Sequence, residues 1–299
     1  MATTTSITTS YAGEKLQGFI SAALLSANTI ENGGVTVKPN VKFKQVIKKL
    51  STNDLVADSD CDFAATSTVT LTERYLEPKE FQVNLQLCKA DFRSDWDAIS
   101  MGMSAHDSIP PAFSDYLLGH VVSKVAEKIE NTIFAGTDAT GGEFDGFLAL
   151  AAADATVVDV AGTTIDASNV IAELGKVVDA IPTTVYGQED LSIYIAPSTA
   201  RAYIRAQAAL GYKDLYHVGQ TALDFEGVKL FVSNGMPADK MIAAQSGNLM
   251  YGTGLLNDKN VAKVIDMADI DGSQNVRIVL RYTATVNFGI GSEIVLYSA

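Results

Sequence analysis

Histidine, cysteine and proline are scarce in this sequence, and each shortage closes off a class of explanation. The 299 residues include 3 histidines and 2 cysteines. His106, His120 and His217 lie far apart with no second ligand one helical turn away, whereas a zinc site needs three or four Cys or His ligands at recognisable spacing. Surface or packing roles are the plain reading of all three. Cys61 and Cys88 are too few for a disulfide framework and suit a reducing compartment. They read as separate, part-buried thiols, with pairing left open only if the fold joins them. Only 7 prolines and no low-complexity run leave most of the chain able to order. The Thr- and Ser-rich stretch from Met1 to Ser10 is the exception, expected to move unless a partner holds it. No stretch nears the roughly 20 consecutive apolar residues that span a bilayer. The N-terminus also lacks the basic segment and apolar run of a secretory signal. A cytoplasmic product with no membrane partner is therefore expected.

Catalytic signatures are missing as well. There is no Gly-x-Ser-x-Gly elbow, P-loop or dinucleotide fingerprint. Gly252-Thr253-Gly254 lacks a third glycine, whose place is taken by Asn257, and reads as a turn. Asp269 to Asn275 is briefly similar to a calcium loop, but its glycine comes two positions early and its twelfth position is Leu280 instead of Glu. A hairpin turn between flanking strands fits it better. No carboxylate pair stands out as a general acid and base. No cofactor, metal or catalytic residue is expected, although a soluble α+β enzyme whose site only the fold assembles stays open as a reading of another class.

What is present points to a large core and to contacts. Hydrophobic residues make up 47% of the chain and charged ones 19%, enough for a core of about two domains. Asp and Glu number 35 against 22 Lys and Arg, a net charge of −13, and the pI is near 4.6. General, tight binding to nucleic acid needs a Lys- or Arg-rich face, and this balance argues against it. The charge is uneven: Lys38, Lys42, Lys44, Lys48 and Lys49 fall close together, and Asp54, Asp58, Asp60 and Asp62 follow. Such patches suit complementary docking between copies of the chain, with Lys42 and Lys44 as contact candidates, or else a solvated surface with local ion pairs.

Periodicity gives an α+β pattern with no internal repeat. Leu16, Phe19, Ile20, Ala23, Leu24 and Ala27 form a helical stripe over Gly13 to Ala27. Val41, Phe43, Gln45 and Ile47 alternate with lysines as a strand, apart from Val46. Two further strands follow. Ser67 to Tyr75 puts Val69 and Leu71 on one face, and Phe81, Val83, Leu85 and Leu87 alternate with polar residues. Glu77-Pro78 connects them, and together they read as a long antiparallel excursion with one face to cover. The longest helix opens at Pro110-Pro111 and carries Phe113, Leu117, Val121, Val125, Ile129 and Ile133 every four residues to Gly136, a girder of about 35 Å. Helices follow over Ser168 to Ile181 and Pro197 to Leu210. Strands are expected at Leu191 to Ile195, Val228 to Val232, Met241 to Ala244, Val261 to Met267, Val276 to Val286 and Glu293 to Tyr297.

The order of these elements resembles the major capsid proteins of tailed bacteriophages, a fold shared with herpesvirus capsid floors and encapsulins. The resemblance covers Gly13 to Ala299. Glu143-Phe144-Asp145-Gly146-Phe147-Leu148, after the girder helix, is similar to the family's Asp-Gly-Leu turn. Leu191 to Thr199 is similar to its strand-to-helix junction. Phe225 to Val232 with Met236-Pro237 is similar to its Gly-strand-Met-Pro segment, and Asn248 to Thr253 to its aromatic-Gly turn. The resemblance implies an N-terminal arm at 1–40 and a peripheral domain at 41–62 and 90–149 with a spine helix at 111–135. It further implies an extended loop at 63–89, an axial domain at about 150–275, and C-terminal strands at 276–299 returning to the peripheral domain. The implied function is a structural, non-enzymatic protein that assembles with itself, in pentamers and hexamers, into an icosahedral head around double-stranded DNA. An encapsulin-type compartment shell is the alternative. A separate scaffolding protein and a portal are implied as partners, with packaged DNA bound only non-specifically and assembly in the bacterial cytoplasm. Some members cross-link neighbours through a Lys–Asn bond promoted by Glu; Lys79 is a candidate lysine, but no motif marks such a triad. Leu16, Phe19, Ile20 and Leu24 are expected to dock on a neighbouring subunit, as is a ribbon face made of Val69, Leu71, Phe81, Val83 and Leu85.

Overall fold

The computed structural model describes residues 28–41, 43–52, 68–92, 111–211, 223–254 and 263–299, with 56, 58 and 61 between them. The helix expected over Gly13 to Ala27, and with it Leu16, Phe19, Ile20 and Leu24, lies outside the described residues, as does Lys42. The chain divides into two compact units.

The larger unit comprises 28–79, 130–253 and 284–299. It opens with a short helix α1 (Asn28–Glu31) and strand β1 (Thr36–Lys38). Both elements fall within the stretch expected as an arm. Val35 and Val41 are buried, and β1 pairs in parallel with Leu249–Gly252, Val37 opposite Tyr251. Apolar side chains spaced along 35–41 need cover, and the edge of a sheet supplies it along with backbone partners.

Strands β2 (Gln45–Thr52) and β3 (Val69–Leu76) follow, then β4 (Lys79–Cys88), α2 (Lys89–Phe92), α3 (Pro111–Ala135), α4 (Phe147–Ala153), β5 (Val158–Ala161), α5 (Val170–Asp179), β6 (Leu191–Ile195), α6 (Pro197–Ala209), β7 (Asp224–Phe225), β8 (Val228–Val232), β9 (Lys240–Gln245), β10 (Leu249–Gly252), β11 (Lys263–Asp266), α7 (Ala268–Asp271), β12 (Asn275–Phe288) and β13 (Val295–Ser298). Helix α3 thus spans the residues its four-residue stripe predicts.

The main sheet of the larger unit has the order β5-β13-β9-β6-β8-β7. Its central strand β6, Leu-Ser-Ile-Tyr-Ile, is buried throughout, because both faces are covered and successive side chains point opposite ways. Leu191, Ile193 and Ile195 join Val170, Leu174, Val177 and Val178 of α5 and Tyr203 and Ala206 of α6 in one core cluster. Tyr194 points to the other face, its ring 5.8 Å from Phe134 and 5.2 Å from Phe231. Asp166 prepares the start of α5 by accepting the amides of Ser168 and Asn169 at 2.7 and 3.1 Å. Glu226 and Gly227 both have positive φ, 48° and 79°. They close β7 and β8 as a two-residue primed turn, which glycine tolerates at its second position. Strand β13 lies between β5 and β9. Its Val295 and Tyr297 belong to the same core cluster as α5.

The smaller unit contains 80–129 and 254–283. Strands β11 and β12 form the antiparallel pair expected around Asp269 to Asn275. The connection includes the short helix α7, and Gly272 at φ 72° follows it while the Asp271 carboxylate accepts the Ser273 amide at 2.9 Å. Strand β4 pairs with β12. Phe81 sits 5.3 Å from the Tyr282 ring, and Arg277 Nε donates to Gln86 Oε1 at 2.9 Å. Lys89 is buried, ion-paired to Asp266, and its amide donates to the Gln274 carbonyl at 2.8 Å. A buried ammonium needs such a partner to offset its lost hydration. No disulfide joins Cys61 and Cys88; Cys61 is exposed, not part-buried as expected, and Cys88 is half-buried.

Candidate interaction surface

The pairing of β3 corrects the expected ribbon. Its partner is β2, antiparallel over eight residue pairs from Gln45–Leu76 to Thr52–Val69, and not β4. The two-stranded ribbon therefore comprises 45–52 and 69–76, with β4 in another sheet.

Directly opposed residues in an antiparallel pair share a face. One face of the ribbon carries Val46 opposite Tyr75, Lys48 opposite Glu73, Leu50 opposite Leu71, and Thr52 opposite Val69. Leu50, Leu71 and Val69 are 63%, 65% and 57% exposed, and Val46 and Tyr75 are exposed too. A contiguous apolar face left open to water marks a contact surface. On this face Tyr75 Oη donates to Glu73 at 3.2 Å. Lys44, just before β2, lies 3.9 Å over the Tyr75 ring and 3.7 Å from Glu77. Phe43 and Val56, on either side of β2 in the chain, are also exposed.

The opposite face anchors the ribbon root. Leu76 is fully buried, lying so close to Gly252 that a Cβ there would be 2.6 Å from its Cδ2. Gly252 is thus a strand residue needed for close approach, which corrects the reading of 252–254 as a simple turn. The Asn287 side-chain amide donates to the Tyr75 carbonyl at 2.7 Å. Arg74 ion-pairs with Asp154 and stacks 4.4 Å over the Phe288 ring. Asp154 also accepts the amide and hydroxyl of Thr156 at 2.9 and 2.8 Å. Burial works to raise the Asp154 carboxyl, but the Arg74 and Thr156 hydrogen bonds outweigh it and hold it at about 2.

Of the sequence candidates, Val69 and Leu71 lie on the exposed face and Lys44 beside it. Phe81, Val83 and Leu85 do not: they are half-buried on β4 in a different sheet. The sequence reading passed over Leu50 and set Val46 aside as an exception. Val46, Lys48 and Leu50 share the phase opposite to Gln45 and Ile47, and that phase is the outward one. His120 is exposed on α3, and His106 and His217 lie outside the described residues. Among the described residues no group of three His, Cys, Asp or Glu side chains is placed to hold a metal ion, and no helix is long and apolar enough to cross a membrane.

The fold as a whole recurs in solved structures. The chain matches the capsid of a native GTA particle with a TM-score of 0.66 at 15% identity, over 95% of both chains. It matches the capsid of Myoviridae phage XM1 with a TM-score of 0.60 at 12% identity, over 96% of each. This is the tailed-phage capsid fold. A chain of Gordonia phage Cozz has it too, with a TM-score of 0.64 at 12% identity over 97% of this chain and 91% of that one. No family model and no curated protein matches the sequence. The fold matches at 12–15% identity, since the same layers can be filled by many apolar side chains of suitable volume.

Proposed function

We propose that this protein is the structural subunit of a tailed-phage head, assembling with itself into an icosahedral shell around double-stranded DNA and performing no catalysis. The observation that carries this is an end-to-end capsid fold combined with a ribbon whose apolar face is uncovered. A two-stranded ribbon is marginal in water by itself. Burying a leucine or valine fully contributes about 1.5–3 kcal/mol, so a neighbour that covers Leu50, Leu71 and Val69 supplies a large share of a subunit contact. Contacts of this kind run head to tail, and rings of five and six copies close when the rotation between neighbours is right.

The larger unit, with its six-stranded sheet, corresponds in this reading to the axial domain, and α3 to the spine of the peripheral one. The net charge of −13 suits an inner wall that holds DNA without adhering to it, counterions screening the repulsion over about 10 Å. A separate scaffolding protein guides curvature, a portal occupies one vertex, and assembly takes place in the host cytoplasm. Electron microscopy of the purified protein, alone and with its scaffold, tests the proposal. Rings, tubes or closed shells are expected; a protein that stays monomeric at high concentration with scaffold present would sink it.

A further inference from the structure

The ribbon β2–β3 is a lever, and its root is unusually well held. Three consecutive residues of β3 are each held from outside the ribbon: Arg74 by Asp154 after α4 and by the Phe288 ring of β12, the Tyr75 carbonyl by Asn287 of the same strand β12, and Leu76 by the close pass of Gly252 in β10. Asp154 is itself braced by both donors of Thr156. Beyond that root, β2 and β3 contact chiefly each other. Eight strand residues reach about 26 Å, so a play of about 10° at the root moves the far end by roughly 4–5 Å, the spacing of adjacent strands.

We propose that the Arg74–Asp154 clamp, braced by Thr156 and backed by Phe288, is a positioning device that sets the angle at which the ribbon leaves the body, and through it the curvature with which one copy meets the next. The second half of this statement rests on the head-subunit reading above; the first does not. A planar guanidinium seated against a ring and joined to a carboxylate has a fixed orientation that a lysine in the same place lacks. The clamp therefore holds a direction as well as a charge pair.

Spin labels at Ser51, near the ribbon's far end, and at Ser298, in the main sheet, test it on the full-length chain with Cys61 and Cys88 changed to serine. Pulsed electron paramagnetic resonance on dilute, unassembled subunits reads the distance distribution. The unaltered clamp should give one narrow distribution. Arg74→Ala and Asp154→Asn should shift and broaden it, Arg74→Lys should recover only part of the width, and Thr156→Ala should broaden it least. Should Arg74→Ala fail to fold, Asp154→Asn and Thr156→Ala, which keep most of the packing, carry the test. Distributions that superimpose on the parent's for all variants overturn the clamp. In micrographs the clamp variants should give particles of mixed size, and uniform shells from a variant with a broadened ribbon would overturn the link to curvature. A parent protein that never assembles yet shows a narrow distribution overturns the head-subunit reading and leaves the clamp standing.

Discussion

Glu130 is fully buried on the last turns of α3, and its carboxylate is met by neutral donors. The Thr29 amide lies 3.2 Å away, the Ser233 hydroxyl donates at 3.0 Å, and the Thr29 hydroxyl donates as well. Replacing one oxygen by an amide NH2 turns a donor toward donors. Glu130→Gln should therefore cost about 1–3 kcal/mol, read as a lower urea midpoint of the unassembled subunit. Tyr297 makes a similar case. Burial and the adjacent Glu173 push its hydroxyl up to about 12, and it donates to Glu173 at 2.8 Å while accepting the Thr163 amide at 3.1 Å. Tyr297→Phe leaves both partners short, and the same denaturation experiment should show a loss of similar size. Asp154 gives a pH test. Its carboxyl is lowered from 3.8 to about 2, so the stability it adds is fully present above 3.8 and is lost as pH falls through about 2. The gap in stability between the parent and Asp154→Asn should hold constant from neutral pH to 3.8 and close below it. None of these three was legible in the sequence. A glutamate beside the stripe of α3 reads as solvated, and its partners lie 101 and 103 residues away.

Elements were far more legible than their pairing. The four-residue stripe of α3, the stripe of α5 bounded by Pro182, and the unbroken apolar run of β6 each state their own type, because burial on one side or both leaves its period in the sequence. Alternation in a strand tells which residues share a face, but it does not name the partner. Proximity favoured β3 with β4 across Glu77-Pro78, yet a type I′ hairpin needs positive φ at Pro78, which its ring forbids, and a type II′ hairpin wants glycine where Glu77 stands. The proline was the available sign that these strands part company, while β2 returns through 53–68 to pair with β3. Predictions follow the corrected pairing. Leu71→Asp or Leu50→Asp falls on an exposed face, so the free subunit's melting point should barely move, within about 0.5 kcal/mol, while particle yield collapses. Val83→Asp falls on a half-buried strand of the subunit's own sheet and should lower subunit stability directly. An equal loss of melting point in all three variants would show that the ribbon face is already covered within one copy.

At the scale of the whole molecule, motif order carried the fold. Short turns such as Asp145-Gly146 and Glu226-Gly227 are weak signs singly, but their sequence along 299 residues matches a single architecture, and the end-to-end structural likeness bears that out. Nothing in 28–41 announces that Thr29 and Val35 are buried. Amide hydrogen exchange compares subunit and particle directly: β2 and β3 should exchange fast in the free subunit and slowly in the shell, whereas β6 and β9 should be protected in both. Equal exchange of the ribbon in both states would show that no neighbour covers it. Strand β13 has a bearing on timing. Residues 295–298 are threaded between β5 and β9, strands that the ribosome has finished well before them, so the main sheet stays split until those four residues have been made. The ribbon is made first and waits, apolar face outward, on a body that is not yet closed. The late strand acts as a natural checkpoint: only with β13 in place is the main sheet continuous from β5 to β7.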